Sequence, residues 1–226
     1  MSFVRDAVGA VVDRGYQIGQ HLRHALVRQD PKGRYPGGEL SPVLILPGVY
    51  ETWQFLRPVA DHLHALGHPV HLLPELGYNR RDIPETAAIA QRYLAQNDLR
   101  DVVLVAHSKG GLVGKHMMVG DDLEGRISSL IAVNSPFGGS SLARWAPNRT
   151  LRAFSPKDET LATLAANLEA NSRIVSVYSR RDPLIPSGSR LDGATNIELP
   201  MVGHFTPLGS PQLLRVLDDA LGHAPR

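Results

Sequence analysis

Three side chains of the sequence, Ser108, Asp182 and His204, are of the types that nucleophilic catalysis requires. A serine hydroxyl is a weak nucleophile until a neighbouring base removes its proton, and an imidazole serves as that base when a carboxylate orients it. Linked in series, the three groups would attack an electrophilic carbonyl carbon and form a covalent intermediate on the serine. The residues around each of the three positions indicate whether the chain brings them together.

Ser108 stands at the centre of the pentapeptide Ala106-His107-Ser108-Lys109-Gly110, between an apolar run and a helix-compatible stretch. A strand that turns directly into a helix is crowded at the turn, so small residues are needed two positions before and two positions after the serine. The free N–H groups of the helix N-terminus would then face the serine oxygen. The pentapeptide therefore predicts an exposed nucleophile, and the alternative is an ordinary N-cap serine.

Asp182 and His204 each follow directly after a predicted strand, so that the chain order is Ser, Asp, His. In parallel sheets the chemistry gathers at the carboxyl ends of the strands, which favours a position for both beside Ser108. Asp182 could instead be a plain Asp-Pro turn residue, and His204, one of ten histidines, could be structural. Three other acids compete for the orienting role but do not directly follow a strand: Asp158, Glu159 and Asp192.

An oxyanion hole needs two backbone N–H groups, one from the residue after the nucleophile and one from the loop after an early strand. Lys109 supplies the first of these groups. For the second we expect Val49, with Tyr50 as the alternative, because the preceding Gly48 lets the backbone approach closely. Each such donor typically stabilises a transition state by roughly 3 kcal/mol.

Short apolar segments alternate with amphipathic segments from Ser41 onwards, which predicts strands alternating with helices. This alternation indicates an α/β fold with a mainly parallel central sheet and helices on both of its faces. The predicted strands are 43–46, 70–73, 102–106, 127–133, 174–178 and 196–199. The predicted helices are 53–66, 84–95, 110–119 and 211–221.

The chain of 226 residues is long enough for one sizeable core, so we predict a single domain over residues 1–226. Residues 1–40 are expected to be an N-terminal helical extension, because apolar residues recur at helical intervals. Residues 137–171 are expected to be a small helical cap over the site. Tyr50 and four apolar side chains of this segment are candidates for substrate binding. The alternative for those four is that they pack the cap onto the body of the protein. The candidates in the cap are Phe137, Trp145, Leu151 and Phe154.

The composition argues against several classes of function. Lysine and arginine total 24 against 22 for aspartate and glutamate, and this scattered net charge of +2 does not favour nucleic acid as a partner. Because there is no cysteine, neither disulfides nor thiolate metal sites can form. No apolar stretch approaches the ~20 residues that span a bilayer, and no signal-peptide pattern is seen. A cytoplasmic location is therefore expected, and the oligomeric state is left open.

Several segments resemble the lipase and esterase branch of the α/β-hydrolase superfamily, over nearly everything from Ser41 to Leu221. The segment AHSKGG is similar to the AHSMGG of small bacterial lipases, and PGVYETW resembles the oxyanion loop of that family. NSPFGGS resembles the family's segment after the strand that follows the nucleophile. RRDPLIP resembles its acid loop, and VGHF resembles its histidine loop. Lys109 stands where relatives carry an apolar residue, which predicts a cation near the mouth of the site.

The resemblance implies an α/β-hydrolase fold and a cofactor-free serine hydrolase that cleaves carboxylic esters through an acyl-enzyme on Ser108. It makes His204 the general base and then the acid, and Asp182 the orienting carboxylate. The expected substrate is a small-molecule acyl ester or a lipid, and a peripheral contact with a lipid surface is left open. Because residues 205–217 contain no acidic side chain, no metal is expected there. The alternatives are thioesterase, amidase or acyltransferase chemistry on the same triad and, less favoured, a catalytically silent binding protein.

Overall fold

Six parallel strands form the central sheet of the computed structural model, which describes residues 2–26, 33–122, 124–145, 149–152 and 154–222. The strands lie side by side in the order β2-β1-β3-β4-β5-β6, and each neighbouring pair is parallel. Their bounds are β1 Val43–Leu46, β2 Val70–His71, β3 Val102–His107, β4 Ile127–Val133, β5 Ile174–Arg181 and β6 Thr195–Val202. The predicted α/β fold with a mainly parallel sheet is confirmed.

Helices cover both faces of the sheet, and the side chains of β3 alternate between them as the pleat of a strand requires. Leu104 packs with one layer of helices, and Val105 packs with the other. The first layer holds α3 (Ile83–Gln96) and α4 (Lys109–His116), and the second holds α2 (Arg57–Leu66) and α7 (Pro211–Ala220). Because both faces are buried, β1 and β3 read as continuous apolar runs.

Element bounds differ most from the predicted ones at the ends of β2, β5 and β6 and where a helix changes its winding. The predicted helix over 53–66 starts as a 3-10 turn, Trp53–Leu56, and becomes α2 at Arg57, where Pro58 fits the first turn. The predicted helix over 110–119 ends as α4 at His116 and continues as a π turn, Met117–Asp121. β5 extends to Arg181, so Asp182 directly follows the strand.

The N-terminal extension contains one long helix, α1 (Ser2–Leu26), which packs against β6 and the 3-10 turns at 53–56 and 206–209. The Tyr16 hydroxyl donates a hydrogen bond to the Phe55 carbonyl at 2.8 Å, and the Asp13 carboxylate is buried. Among the described side chains of α1, four large apolar ones stay exposed: Val11, Val12, Ile18 and Leu22. None of the helices in the described residues is long and apolar enough to cross a membrane.

The segment predicted as a cap is helical in its described parts. It contains 3-10 turns at Ser141–Trp145 and Glu169–Arg173 and two short helices, α5 (Arg149–Arg152) and α6 (Glu159–Ala166). Leu161 and Leu164 of α6 join the same apolar core as Leu112 of α4, which fixes this part of the segment to the sheet. Asp158 accepts hydrogen bonds from the first N–H groups of α6 and is therefore its N-cap.

Candidate active site

Ser108 occupies a tight turn between β3 and α4 with φ 51° and ψ −119°. A non-glycine residue in this region of backbone space is strained, and such strain persists only where the surroundings enforce it. The neighbouring residues do so, because a Cβ at Gly110 would overlap the Leu46 carbonyl and a Cβ at Gly111 would overlap the Ser135 side chain. The Ser108 side chain makes no capping hydrogen bond. The N-cap interpretation therefore has no support in the structure.

His204 and Asp182 lie in contact at the carboxyl ends of β6 and β5. The Nδ1 atom of His204 is 2.6 Å from Oδ2 of Asp182, so the ring proton lies on Nδ1 and Nε2 is left as a proton acceptor. The other oxygen, Oδ1, accepts the N–H groups of Leu184 and Ile185 at 2.8 and 3.2 Å. Asp182 is thus a turn residue and the partner of the imidazole at the same time.

The carboxylate of Asp182 is held in its charged form although it is buried. Burial opposes ionisation, but the His204 imidazole and the Leu184 N–H outweigh it and keep the pKa of Asp182 below its ordinary value. A carboxylate that stays ionised can stabilise a positive charge on the neighbouring ring.

Ser108 and His204 line one cavity of about 280 Å³ at the carboxyl edge of the sheet. Among the described residues, no hydrogen bond joins the serine hydroxyl to His204. In unliganded enzymes such bonds are often long and tighten only with substrate. The hydroxyl-to-imidazole link of the predicted triad therefore stays a prediction, while the imidazole-to-carboxylate link is present in the structure.

Three of the five residues predicted to bind substrate line this cavity: Tyr50, Leu151 and Phe154. Phe137 instead lies buried in the apolar core beside the sheet, and Trp145 is 77% exposed. Neither of these two is part of the lining. The wall also contains Val49, the expected oxyanion donor, and apolar residues outside the five substrate-binding candidates: Leu142, Ala143, Leu184, Ile185 and Phe205.

The two candidates for the second oxyanion donor differ in their backbone contacts. The N–H of Tyr50 donates to the Tyr78 carbonyl at 2.8 Å, so it is already engaged, and this contact favours Val49 over Tyr50. Within the described parts of the chain, the N–H groups of Val49 and Lys109 have no hydrogen-bond acceptor.

A buried Glu51–His107 pair lies under the predicted oxyanion loop, and no pattern in the sequence indicated this pair. Oε1 of Glu51 is 2.8 Å from Nδ1 of His107, and Oε2 accepts the Gly48 N–H at 2.9 Å. Nε2 of His107 is 3.0 Å from the carbonyl oxygen of His204. A carbonyl only accepts, so Nε2 must carry a proton. Burial opposes a charge on this ring, but Glu51 outweighs it and raises the pKa of His107.

Asn134 is a second buried residue that supports the histidine loop. Its side-chain amide donates to the His204 carbonyl at 2.8 Å, and its side-chain oxygen accepts the Ser179 N–H at 2.8 Å. Asn134 follows β4 with φ 45°, a conformation that asparagine tolerates better than most residues. The polar segment after a strand was visible in the sequence, but the partners of this amide were not.

Lys109 does not place a cation at the mouth of the site, so that prediction is wrong. The residue is 1% exposed, and its ammonium donates to Asn79 O and Oδ1 at 3.1 and 2.9 Å and to the Arg81 carbonyl. Burial lowers the pKa of Lys109 to about 8. The side-chain amide of Asn79 donates to the Pro47 carbonyl at 2.7 Å. Lys109 therefore supports the predicted oxyanion loop indirectly, through Asn79.

One group of possible metal ligands occurs in the described residues, namely Glu51, His107 and His204, whose ligand atoms lie within 4.8 Å of one another. Glu51 and His107 are hydrogen-bonded to each other, and Nδ1 of His204 is bonded to Asp182. Hydrogen bonding therefore accounts for this cluster.

Solved structures with the same architecture are numerous, although no family model matches the sequence. The mature form of a lipase from Bacillus licheniformis superposes with a TM-score of 0.65 at 16% identity, over 82% of this chain and 93% of that chain. An extracellular α/β-hydrolase from a Paenibacillus species gives a TM-score of 0.58 at 18% identity, over 80% and 99% of the two chains. A hydrolase from Pseudomonas aeruginosa gives 0.59 at 15% identity, over 83% and 92%.

These likenesses, together with the six-stranded parallel sheet, show that the chain has the α/β-hydrolase fold. The resemblance stated from the sequence is confirmed at this level. A fold by itself does not define an activity, because unrelated functions share it.

Proposed function

We propose that this protein is a serine hydrolase that cleaves carboxylic esters through an acyl-enzyme on Ser108. The observation that carries the proposal is one cavity wall on which a strained serine and an imidazole lie together, with that imidazole hydrogen-bonded to the buried Asp182 at 2.6 Å. The names of similar folds, a lipase and several hydrolases, support the same class of reaction.

Acylation follows from the protonation states of the side chains. Nε2 of His204 accepts the Ser108 hydroxyl proton while the serine oxygen bonds to the ester carbonyl carbon, and the carbonyl electron pair moves onto its oxygen. The N–H groups of Lys109 and Val49 stabilise that oxyanion. The ionised Asp182 stabilises the imidazolium. When the carbonyl re-forms, the bond to the alcohol oxygen breaks, and the alcohol leaves with the proton from Nε2.

Deacylation repeats these steps with water as the nucleophile. Nε2 takes a proton from water as its oxygen bonds to the acyl carbon, and collapse of the second tetrahedral intermediate breaks the bond to Ser108. The serine oxygen recovers the proton from Nε2, and the carboxylic acid is released.

The cavity favours small acyl groups. Its volume of about 280 Å³ lies just below the range for small-molecule sites, about 300–1,000 Å³. Its lining is largely apolar, including Leu142, Leu151 and Phe154, and would accept a hydrocarbon chain. We therefore expect p-nitrophenyl butyrate to have a higher kcat/KM than the matching dodecanoate. A preference for the long ester would contradict this assignment of the acyl site.

A fluorophosphonate probe tests the nucleophile. We expect covalent labelling of the wild type and none of Ser108→Ala. The matched control is Ser140→Ala, because Ser140 lines the same cavity but its hydroxyl donates to the Leu184 carbonyl at 2.8 Å. Labelling should persist in that control. Labelling of Ser108→Ala, or its loss in Ser140→Ala alone, would show that another serine is the nucleophile.

A further inference from the structure

The N-terminal helix α1 reaches the histidine loop through one buried carboxylate. Oδ1 of Asp13 accepts hydrogen bonds from the Phe205 N–H at 2.6 Å, the Thr206 N–H at 2.8 Å and the Thr206 hydroxyl at 3.0 Å. Asp13 is 7% exposed, and no cation pairs with it among the described residues. These donors compensate its negative charge, which makes the three bonds charge-assisted and strong.

Gly203, the residue before His204, has the backbone conformation that this contact requires. Gly203 has φ +133°, and a Cβ at that position would collide with the Asp13 carboxylate and the Thr206 hydroxyl. Only glycine allows this backbone and this close approach together. The loop that carries His204 is therefore built around the Asp13 side chain.

The hydrogen bonds hold both ends of a single peptide group. The carbonyl of His204 accepts from His107 at 3.0 Å and from Asn134 at 2.8 Å, while the N–H of the same peptide, that of Phe205, donates to Asp13. A planar peptide fixed at its oxygen and at its nitrogen cannot rotate. Its orientation sets the backbone from which the His204 side chain projects.

We propose that Asp13 is a positioning residue, which fixes the peptide between residues 204 and 205 so that the His204 imidazole stays aligned between Asp182 and Ser108. As far as it concerns catalysis, this inference rests on the proposed function. The alternative is that Asp13 only anchors α1 to the body of the protein. Tyr16 offers a comparison, because it also anchors α1, through the Phe55 carbonyl, away from His204.

Three variants of the full chain separate these roles: Asp13→Ala, Asp13→Asn and Tyr16→Phe. Asparagine keeps an oxygen acceptor but loses the charge, so its bonds are weaker. Because small misplacements of reacting groups cost up to about 100-fold in rate, we expect kcat for p-nitrophenyl butyrate to fall roughly 30-fold in Asp13→Ala and about threefold in Asp13→Asn, with KM unchanged. Tyr16→Phe should keep the wild-type kcat.

The decisive measurement does not depend on activity. The proton shared by His204 and Asp182 should give a low-field proton NMR resonance, identified by its absence in His204→Gln. We expect it to broaden beyond detection in Asp13→Ala, to persist but shift in Asp13→Asn, and to be unchanged in Tyr16→Phe. Should Asp13→Ala not fold, the shift in Asp13→Asn carries the test.

A failure of the positioning role of Asp13 is distinguishable from a failure of the proposed function. A wild type without ester hydrolysis and without fluorophosphonate labelling would refute the proposed function, while the resonance would still decide the role of Asp13. An unchanged resonance in the folded Asp13 variants overturns the positioning role, whatever the activity. Equal loss of the resonance in Tyr16→Phe overturns it as well, because anchoring of α1 would then suffice.

Discussion

The buried pair of Glu51 and His107 predicts different outcomes for two substitutions of the same residue, Glu51→Gln and Glu51→Ala. In Glu51→Gln, the amide oxygen can accept the Gly48 N–H, and the amide NH₂ can donate to Nδ1 of a neutral His107. Nε2 of His107 still carries its proton for the His204 carbonyl. All three hydrogen bonds of the wild type are therefore preserved. In Glu51→Ala, the Gly48 N–H and His107 Nδ1 lose their partner.

The expected magnitudes follow from this count. Glu51→Gln exchanges charged for neutral hydrogen bonds at constant shape, so we expect a loss of about 1–2 kcal/mol in the free energy of unfolding at pH 7. Glu51→Ala leaves two buried groups without partners, at about 1–3 kcal/mol each, and removes the side chain of a buried residue. Its expected loss is roughly 3–5 kcal/mol, the range for breaking a buried ion pair.

Urea unfolding at several pH values measures both effects. The folded-state pKa of His107 is raised, so its stabilising contribution is complete below the ordinary histidine pKa of about 6.5 and is lost as pH rises through the folded value. The stability gap between wild type and Glu51→Gln should therefore be widest below about pH 6.5 and shrink above it. Equal destabilisation by glutamine and alanine, or a gap that does not change with pH, would refute the charged pair.

Two further predictions concern the residues after the nucleophile. Gly110→Ala should destabilise the protein by more than about 3 kcal/mol, because the new Cβ meets the Leu46 backbone. Gly114→Ala should cost less, because its Cβ meets only the ends of the Leu130 and Leu104 side chains; thermal unfolding compares the two variants. For Lys109 the folded-state pKa of about 8 lies below the unfolded value, so the unfolded state binds more protons above pH 8. The free energy of unfolding of the wild type relative to Lys109→Met should therefore rise by up to about 1.4 kcal/mol per pH unit between pH 8 and about 10, as measured by urea unfolding. A difference between the two proteins that does not change with pH would contradict a buried ammonium.

The fold was predictable because the sheet is buried on both faces. A strand with apolar layers on both faces is apolar where it is buried, as all of β1 and the segment 130–133 of β4 are, and both strands have the bounds that the sequence predicted. The contact between Asp182 and His204 could be expected for the same reason, since parallel strands end at one edge of the sheet. Both inferences use local patterns and one general rule of topology.

The supporting residues could not be predicted, because their partners lie far away in sequence. Asp13 and Phe205 are separated by 192 positions, and nothing nearby distinguishes Asp13 from a carboxylate on the solvent side of a helix. Lys109 was expected to place a cation near the mouth of the site, but the loop at 79–81 provides enough oxygen acceptors to bury its ammonium. The choice between the Val49 and Tyr50 amides depended on the Tyr78 carbonyl, which accepts the Tyr50 N–H from 28 positions away.

One chain of hydrogen bonds connects the two loops that the proposed reaction needs. It passes from the Gly48 N–H through Glu51 and His107 to the carbonyl of His204. Burying an ion pair is expensive, and apolar residues of the same volume would often be as stable. Apolar packing is not directional, however, whereas each of these bonds fixes an angle as well as a distance. We infer that the charged pair keeps the oxyanion loop in a fixed position relative to His204. Substitutions at Glu51 should therefore lower kcat more than their effect on stability alone would explain.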